Sequence, residues 1–150
     1  MLPITRRFTL FTALSLTVAF FSLPQDEAGT PVYRDYKGVQ IGMNTDEARQ
    51  KLGDPQEKNE RQDFYAFSEK ETAQVFYDDA KKVFAVAVIY IGKDGGAPDA
   101  RKVLGSDLEA KADGSVHRLV RYPKAGYWVS YSRSAGDSPI TSVTMQRIKP

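Results

Sequence analysis

The sequence predicts an α+β fold made of two repeats, each a short helix followed by a three-stranded antiparallel meander. A short, capped helix pattern occurs twice, as GMNTDEARQKLGDP at residues 42–55 and as APDARKVLG at residues 97–105. After each copy come three apolar runs separated by turn residues. With 150 residues, of which 41% are hydrophobic and 27% charged, the chain has the size and composition of one globular body. The order of elements therefore favours an internal duplication.

The N-terminal 25 residues have the pattern of a secretory signal peptide. Arg6 and Arg7 precede the apolar run FTLFTALSLTVAFFSL, and Pro24 follows it. Because the small-residue cleavage signal is poor, an uncleaved N-terminal anchor is the alternative. This segment holds two of the 21 basic residues and none of the 19 acidic ones. The rest of the chain is therefore neutral, and its charge gives no indication of nucleic-acid binding.

Local sequence signals predict both ends of the first helix. Asn44 is a favourable N-cap, and Glu47 stands three residues later, where the acid of a capping box belongs. Gly53 followed by Pro55 is a strong stop signal. These residues predict a helix over residues 45–52, and a helix of two turns needs a sheet to pack on.

The sheet of the first repeat is predicted from three apolar runs, DFYAFS at 63–68, AQVFYD at 73–78 and VFAVAVIYI at 83–91. In the third run both alternating sets of residues are apolar, which predicts a central strand covered on both sides. The glycine-rich GKDGG at 92–96 is the predicted joint between the two repeats.

The second repeat is predicted to have a helix at 98–104 and strands at 115–122, 127–132 and 140–148. An offset of 52 residues aligns four residues of the first helix (Ala48, Arg49, Leu52 and Gly53) with four of the second (Ala100, Arg101, Leu104 and Gly105). The predicted divisions of the chain are a signal peptide or anchor at 1–25, an extended leader at 26–38, a first repeat at 39–93 and a second, degenerate repeat at 94–150.

Few residues have the types and spacing that catalysis or metal binding needs. The chain has no cysteine, which excludes disulfides and thiolate sites, and His117 is its one histidine. We therefore predict no metal and no cofactor. Asp78 and Asp79 are adjacent carboxylates, but they stand between two predicted strands, where Asp favours turns. They are the basis of the alternative function, a small carboxylate-dependent hydrolase or sugar-modifying enzyme.

Aromatic side chains are the stronger candidates for a functional surface, because Tyr and Trp supply large contact areas with a polar tip. Four of them are crowded into ten residues of the second repeat, next to Arg118 and Arg121. The predicted binding residues are Tyr122, Tyr127, Trp128, Tyr131, Arg118 and Tyr65. The alternative is that Tyr127 and Tyr131 belong to one packed face while Trp128 lies on the other.

Residues 42–55 resemble the helix signature of the BamE-like (SmpA/OmlA) domains, whose pattern is approximately Gly-Met-Thr, acidic residues, a short helix and Leu-Gly-x-Pro. The stretch VFYDDAKKVFAVAV at 75–88 is similar to that family's strand, Asp-containing turn and strand. The resemblance covers residues 39–91. A tandem of such units is also similar to the plan of the beta-lactamase inhibitor protein, which implies that the two repeats form one continuous curved sheet.

The resemblance implies a non-catalytic binding or scaffold module of the cell envelope, and an association with the outer membrane. Without a cysteine the chain cannot carry a lipoprotein anchor, so we expect an exported protein that is periplasmic, envelope-associated or secreted. Its expected partner is another envelope or secreted protein, recognised through whichever face of the sheet is open. Nucleic acid is not an expected partner, and membrane contact is expected only through an uncleaved N-terminal segment, which would make the protein an anchored structural one.

Overall fold

A computed structural model describes residues 29–149, and the predicted signal peptide or anchor lies outside the described residues. The elements, in chain order, are α1 Thr45–Leu52, β1 Glu57–Lys58, β2 Gln62–Ala66, β3 Glu71–Tyr77, β4 Val83–Ile91, α2 Ala100–Leu104, β5 Val116–Tyr122, β6 Tyr127–Arg133 and β7 Ile140–Arg147. The strands form one antiparallel sheet in the order β1-β2-β3-β4-β7-β6-β5. The first four strands follow one another across the sheet, and the last strand of the chain pairs with β4 at its centre.

The prediction of an α+β fold with two repeats, each a short helix plus a three-stranded meander, is wrong. The described chain is mainly a single seven-stranded sheet, with helices of only eight and five residues. The part before the GKDGG joint has four strands, because the polar residues between α1 and β2 contribute β1. The helix of the second part is one turn long, and its N-cap residue Asp99 makes no side-chain capping bond. The two parts are therefore unequal, and the sheet dominates the fold.

Helix α1 has the predicted bounds. The side chain of Asn44 accepts a hydrogen bond from the backbone N–H of Glu47 at 2.9 Å, and the carboxylate of Glu47 accepts one from the N–H of Asn44 at 3.0 Å. Gly53 ends the helix with φ at 84°, a left-handed conformation that glycine adopts without strain. The predicted capping box and stop signal are confirmed.

All of the large core lies on one face of the sheet. Its strand residues include Val75, Val88, Val129, Val143 and Met145, each of which is essentially inaccessible to solvent. The residues that cover them come from α1, from α2 and from the segment before α1: Tyr36, Val39, Ala48, Val103 and Leu104. We call this side the covered face.

The segment before residue 39, predicted to be an extended leader, contributes to this core. Pro31 and Tyr36 are buried. The Tyr36 hydroxyl donates to the carboxylate of Glu71 at 2.7 Å, and the Tyr127 hydroxyl donates to the backbone oxygen of Tyr33 at 3.1 Å. These two bonds attach the segment to β3 in one half of the sheet and to β6 in the other.

Candidate functional site

The other face of the sheet, which we call the open face, is set by the strand register. Residues directly opposite each other on neighbouring strands share a face, so the half-buried and exposed positions that alternate with the core can be followed across all strands. From β2 to β5 they are Gln62, Phe64, Ala66, Thr72, Gln74, Phe76, Ala85, Ala87, Ile89, Ile91, Ile140, Ser142, Thr144, Gln146, Trp128, Ser130, Ser132, His117, Leu119 and Arg121. Ala85 is the member of this set with a buried side chain.

The open face is nearly free of charge. Among the residues just named, Arg121 is the one Lys, Arg, Asp or Glu, and at the edge strand β1 the exposed Glu57 lies opposite Phe64 on the same face, although 27% of the chain is charged. The other members are apolar, hydroxyl or amide residues, with His117 as the one imidazole. A sheet face that only meets water is usually rich in charged side chains, whereas the centres of protein interfaces are depleted of them. The composition of this face is thus that of a contact surface.

Side-chain size varies systematically across the open face. One cross-strand row runs Phe64, Gln74, Ala87, Thr144, Ser130 and Leu119. In this row the residues from β4, β7 and β6 are small, and the larger Phe64 and Leu119 stand at its ends. On the β2–β4 flank, Phe76 packs against Phe84, which lies at a β-bulge, with ring centroids 6.1 Å apart. On the other flank Trp128 lies opposite Arg121. Around Ala87, Thr144 and Ser130 the side chains are therefore small, and this shallow centre is surrounded by larger ones.

One end of this face exposes an aliphatic cluster. Ile91 pairs with Ile140 across the β4–β7 ladder, and Ile89 lies two residues earlier on the same side of β4. Their exposed fractions are 39%, 50% and 42%, in that order. Single exposed aliphatic residues are ordinary on protein surfaces, but a contiguous group beside an uncharged face indicates a contact site.

The six predicted binding residues do not lie together on one face of the sheet. Tyr65, Tyr122, Tyr127 and Tyr131 are core residues of the covered face, each at most 8% exposed. Arg118 lies opposite Tyr131 in the β5–β6 pair and shares that face. Trp128 is the member of the set that lies on the open face. The alternative in which Tyr127 and Tyr131 pack together while Trp128 points to the other side is the observed one.

The buried tyrosines lie in surroundings that keep their hydroxyl groups neutral. Burial raises the pKa of Tyr65 to about 12, and burial is also the main reason that the pKa of Tyr131 is raised. Tyr77 is buried and donates to the carboxylate of Asp63 at 2.7 Å, and this bond adds to the effect of burial in raising its pKa. These hydroxyls stay protonated and serve the internal packing of the sheet.

Asp63 is the most deeply buried charged residue described, with no accessible surface. Its two carboxylate oxygens accept hydrogen bonds from Arg49 of α1, at 2.9 Å from Nε and 2.8 Å from Nη2. The same carboxylate accepts the Tyr77 bond, so one buried group connects α1, β2 and β3. All three contacts are internal, and this cluster holds the helix on the covered face.

Asp78 and Asp79, the basis of the alternative enzyme function, have separate partners. Asp78 accepts hydrogen bonds from the Lys82 N–H and from Arg147, and these bonds lower its pKa, whereas a general acid needs a raised one. Asp79 is exposed and forms its ion pair with Arg61. Within residues 29–149 no group of three or more His, Cys, Asp or Glu side chains is placed to hold a metal ion.

The residues that sequence reasoning missed are the phenylalanines and isoleucines of the open face, above all Phe64, Phe76, Ile89 and Ile140. A signal for them was available, because each belongs to the strand parity opposite to the core residues.

Comparison with protein-family models, with curated proteins and with solved structures found no match. In the described part of the chain, no helix is long and apolar enough to cross a membrane.

Proposed function

We propose that this chain is an exported, non-catalytic module of the cell envelope that binds another envelope or secreted protein through the open face. The single observation that carries the proposal is the near absence of charge from this face. Burying such a surface against a partner costs little charge desolvation, and its apolar flanks gain from leaving water.

Two further observations support the proposal. The open face has aromatic and aliphatic anchors at its flanks (Phe64, Phe76, Trp128) and hydroxyl groups between them (Ser130, Thr144), a combination common in protein interfaces. The N-terminal apolar run after two arginines supports export. The likeness of residues 42–55 to the BamE-like signature belongs to the same proposal, since it implies a scaffold of the envelope.

Site-specific photo-crosslinking tests which surface meets the partner. A crosslinking amino acid is placed at Ile89 or Trp128 on the open face, and at Lys102 as the control, an exposed residue of α2 on the other side of the sheet. The tagged full chain is expressed in its native envelope. We expect one protein to be captured from both open-face positions and not from the control.

A substitution at the centre of the face tests whether that contact carries the binding energy. Ala87→Glu places a charge in the shallow centre, which a complementary partner must then bury unpaired. Capture should be lost while the melting temperature stays close to that of the unaltered protein. Trp128→Ala should weaken binding of the identified partner about 30-fold, the equivalent of about 2 kcal/mol for an aromatic hot spot. Equal crosslinking from Lys102, or capture unaffected by Ala87→Glu, would refute the proposal.

A further inference from the structure

We propose that the free edge of β5 binds an extended, acidic segment of a partner protein, which adds to the sheet as a further antiparallel or parallel strand. This surface is the rim of the sheet and differs from the open face. It recognises the partner's backbone, so the inference is independent of the proposed function.

The two edges of the sheet differ in how they are protected. At one edge, β1 has two residues, Glu57 and Lys58, both charged and exposed. Short, charged edge strands are a common means of preventing further strand pairing. At the other edge, β5 has seven residues in unbroken register with β6, from Val116 opposite Arg133 to Tyr122 opposite Tyr127. It contains no proline and no bulge.

The outer side of β5 has unsatisfied pairing capacity. Among residues 29–149, no strand lies beyond β5, and no backbone hydrogen bond from outside the β5–β6 pair reaches Val116 to Arg121. In an antiparallel pair, alternate residues direct both their N–H and C=O groups away from the partner strand. Those groups on β5 form a template for the backbone of an added strand, the geometry used in β-augmentation.

The charge around this edge selects the occupant. The β5–β6 hairpin, residues 116–133, carries four basic residues and no Asp or Glu, with Asp113 and Asp137 beyond its two ends. The four are Arg118, Arg121, Lys124 and Arg133. Because the chain after its N-terminal segment is neutral as a whole, this is a local concentration of positive charge. It attracts an acidic segment and disfavours a basic one.

The same charge disfavours a second copy of the chain as the occupant. Antiparallel pairing of two β5 strands about Leu119 would place His117 of one copy opposite Arg121 of the other, and it would bring together two hairpins of the same sign. Arg118 and Arg121 are three residues apart and therefore lie on opposite faces of the strand. Arg118 already makes an interaction within the protein, so Arg121 is the main contact for a carboxylate of the segment, and a second carboxylate three positions away lies on the face of Arg118.

A synthetic peptide tests the proposal directly. The probe is an extended peptide of Thr and Val with two glutamates three positions apart, and it is compared with a version that has lysines in their place. Two further versions of the acidic peptide carry N-methyl groups at alternate residues. In one version the methylated amides lie on one edge of the extended peptide, and in the other they lie on the opposite edge. Binding to the full chain is measured by titration calorimetry, and the site by hydrogen exchange of the β5 amides.

The expected result has three parts. The acidic peptide binds and protects amides of β5, the lysine version does not bind, and one of the two N-methylated versions loses binding because it cannot pair with the edge. Arg121→Glu weakens binding about tenfold, as expected when one rim attraction becomes a repulsion. Lys58→Glu, the same charge reversal at the β1 edge, leaves the affinity unchanged.

The variant Ala87→Glu separates this inference from the proposed function. Ala87 lies three strands away from β5, about 14 Å at the spacing of strands in a sheet and beyond the screening length at physiological salt. Peptide affinity should therefore be kept in that variant. The inference is overturned if no acidic peptide binds, if both N-methylated versions bind as well as the parent, or if single-stranded DNA competes as a simple polyanion and no β5 amide is protected.

Discussion

The buried carboxylate of Asp63 allows a sharp prediction about what holds α1 on the sheet. Arg49→Ala would leave Asp63 fully buried with the Tyr77 hydroxyl as its remaining side-chain donor. Asp63→Ala would instead leave the Tyr77 hydroxyl without its acceptor and Arg49 without its ion pair. In each single variant one charged or polar group loses the contacts that compensated its burial.

The magnitude follows from the geometry. Removing one member of a buried, doubly hydrogen-bonded ion pair costs about 3–5 kcal/mol, because the other charge is left uncompensated. The side chain of Arg49 is 30% exposed, whereas the side chain of Asp63 is fully buried. Water can therefore rescue Arg49 in part but cannot rescue Asp63, and Arg49→Ala should be the more damaging of the two variants. The variant lacking both side chains should lose about as much stability as Arg49→Ala alone.

A double-mutant cycle by urea denaturation measures this coupling. We expect the sum of the two single-variant losses of unfolding free energy to exceed the loss in the double variant by about 3 kcal/mol. This is a substantial part of the roughly 5–15 kcal/mol by which a typical domain is stable. Arg101→Ala is the matched control, since Arg101 is the residue aligned with Arg49 in the second helix, but its partner Asp107 is exposed. That variant should unfold at the same urea concentration as the unaltered protein. Additive losses within about 0.5 kcal/mol would refute the reasoning.

Three further predictions concern single contacts. Tyr77→Phe should destabilise the protein by about 1.5–3 kcal/mol in urea denaturation, because the hydroxyl donates to the buried carboxylate of Asp63. Asn44→Ala should cost about 1 kcal/mol through loss of the N-cap, and Asn44→Asp should restore stability. The folded pKa of Asp78 is lowered by its bonds to the Lys82 N–H and to Arg147, so its stabilising effect is present above the unfolded pKa of about 3.9 and is lost as pH falls through the lower folded value. The stability difference between Asp78→Asn and the unaltered protein should accordingly shrink below about pH 4 in acid denaturation, and an unchanged difference would contradict it.

The sequence predicted those elements whose determinants are local. The bounds of α1 depend on Asn44, Glu47 and Gly53, which act within one turn of the helix ends, and the prediction agreed residue by residue. The strand β4 was likewise predicted with its observed bounds from a continuous apolar run, but the prediction that it is covered on both sides is wrong, since Ile89 and Ile91 are exposed. Such signals require no knowledge of what the element packs against.

The elements that depend on distant partners were not predictable in the same way. β1 consists of Glu57 and Lys58 and has no apolar pattern, so only its pairing with β2 makes it a strand. The aligned residues Arg49 and Arg101 show why the two parts are unequal. The first reaches a buried carboxylate on β2, whereas the second pairs with Asp107 in the loop that follows its own helix. An alignment of the helices alone could not distinguish these outcomes.

The candidate site illustrates what strand parity can and cannot predict. Alternation placed Trp128 and Tyr131 on opposite faces, but both tyrosine and tryptophan are amphipathic, so residue type did not decide which face is covered. Charge would have decided it. In β7 the residues on one parity are Ile140, Ser142, Thr144 and Gln146, a set that is neither charged nor buried.

This set of β7 residues is unusual. The solvent-exposed face of a strand commonly carries charged residues, and the core face commonly carries apolar ones. Because β7 is flanked by β4 and β6, the same test can be extended across the sheet, and at Ala85, Ala87, Ser130 and Ser132 it again finds small, uncharged residues. The pattern ends at β5, where Arg121 introduces a positive charge at the rim. The uncharged face and the positively charged β5–β6 edge are therefore chemically different surfaces, which is the basis for proposing a different contact at each.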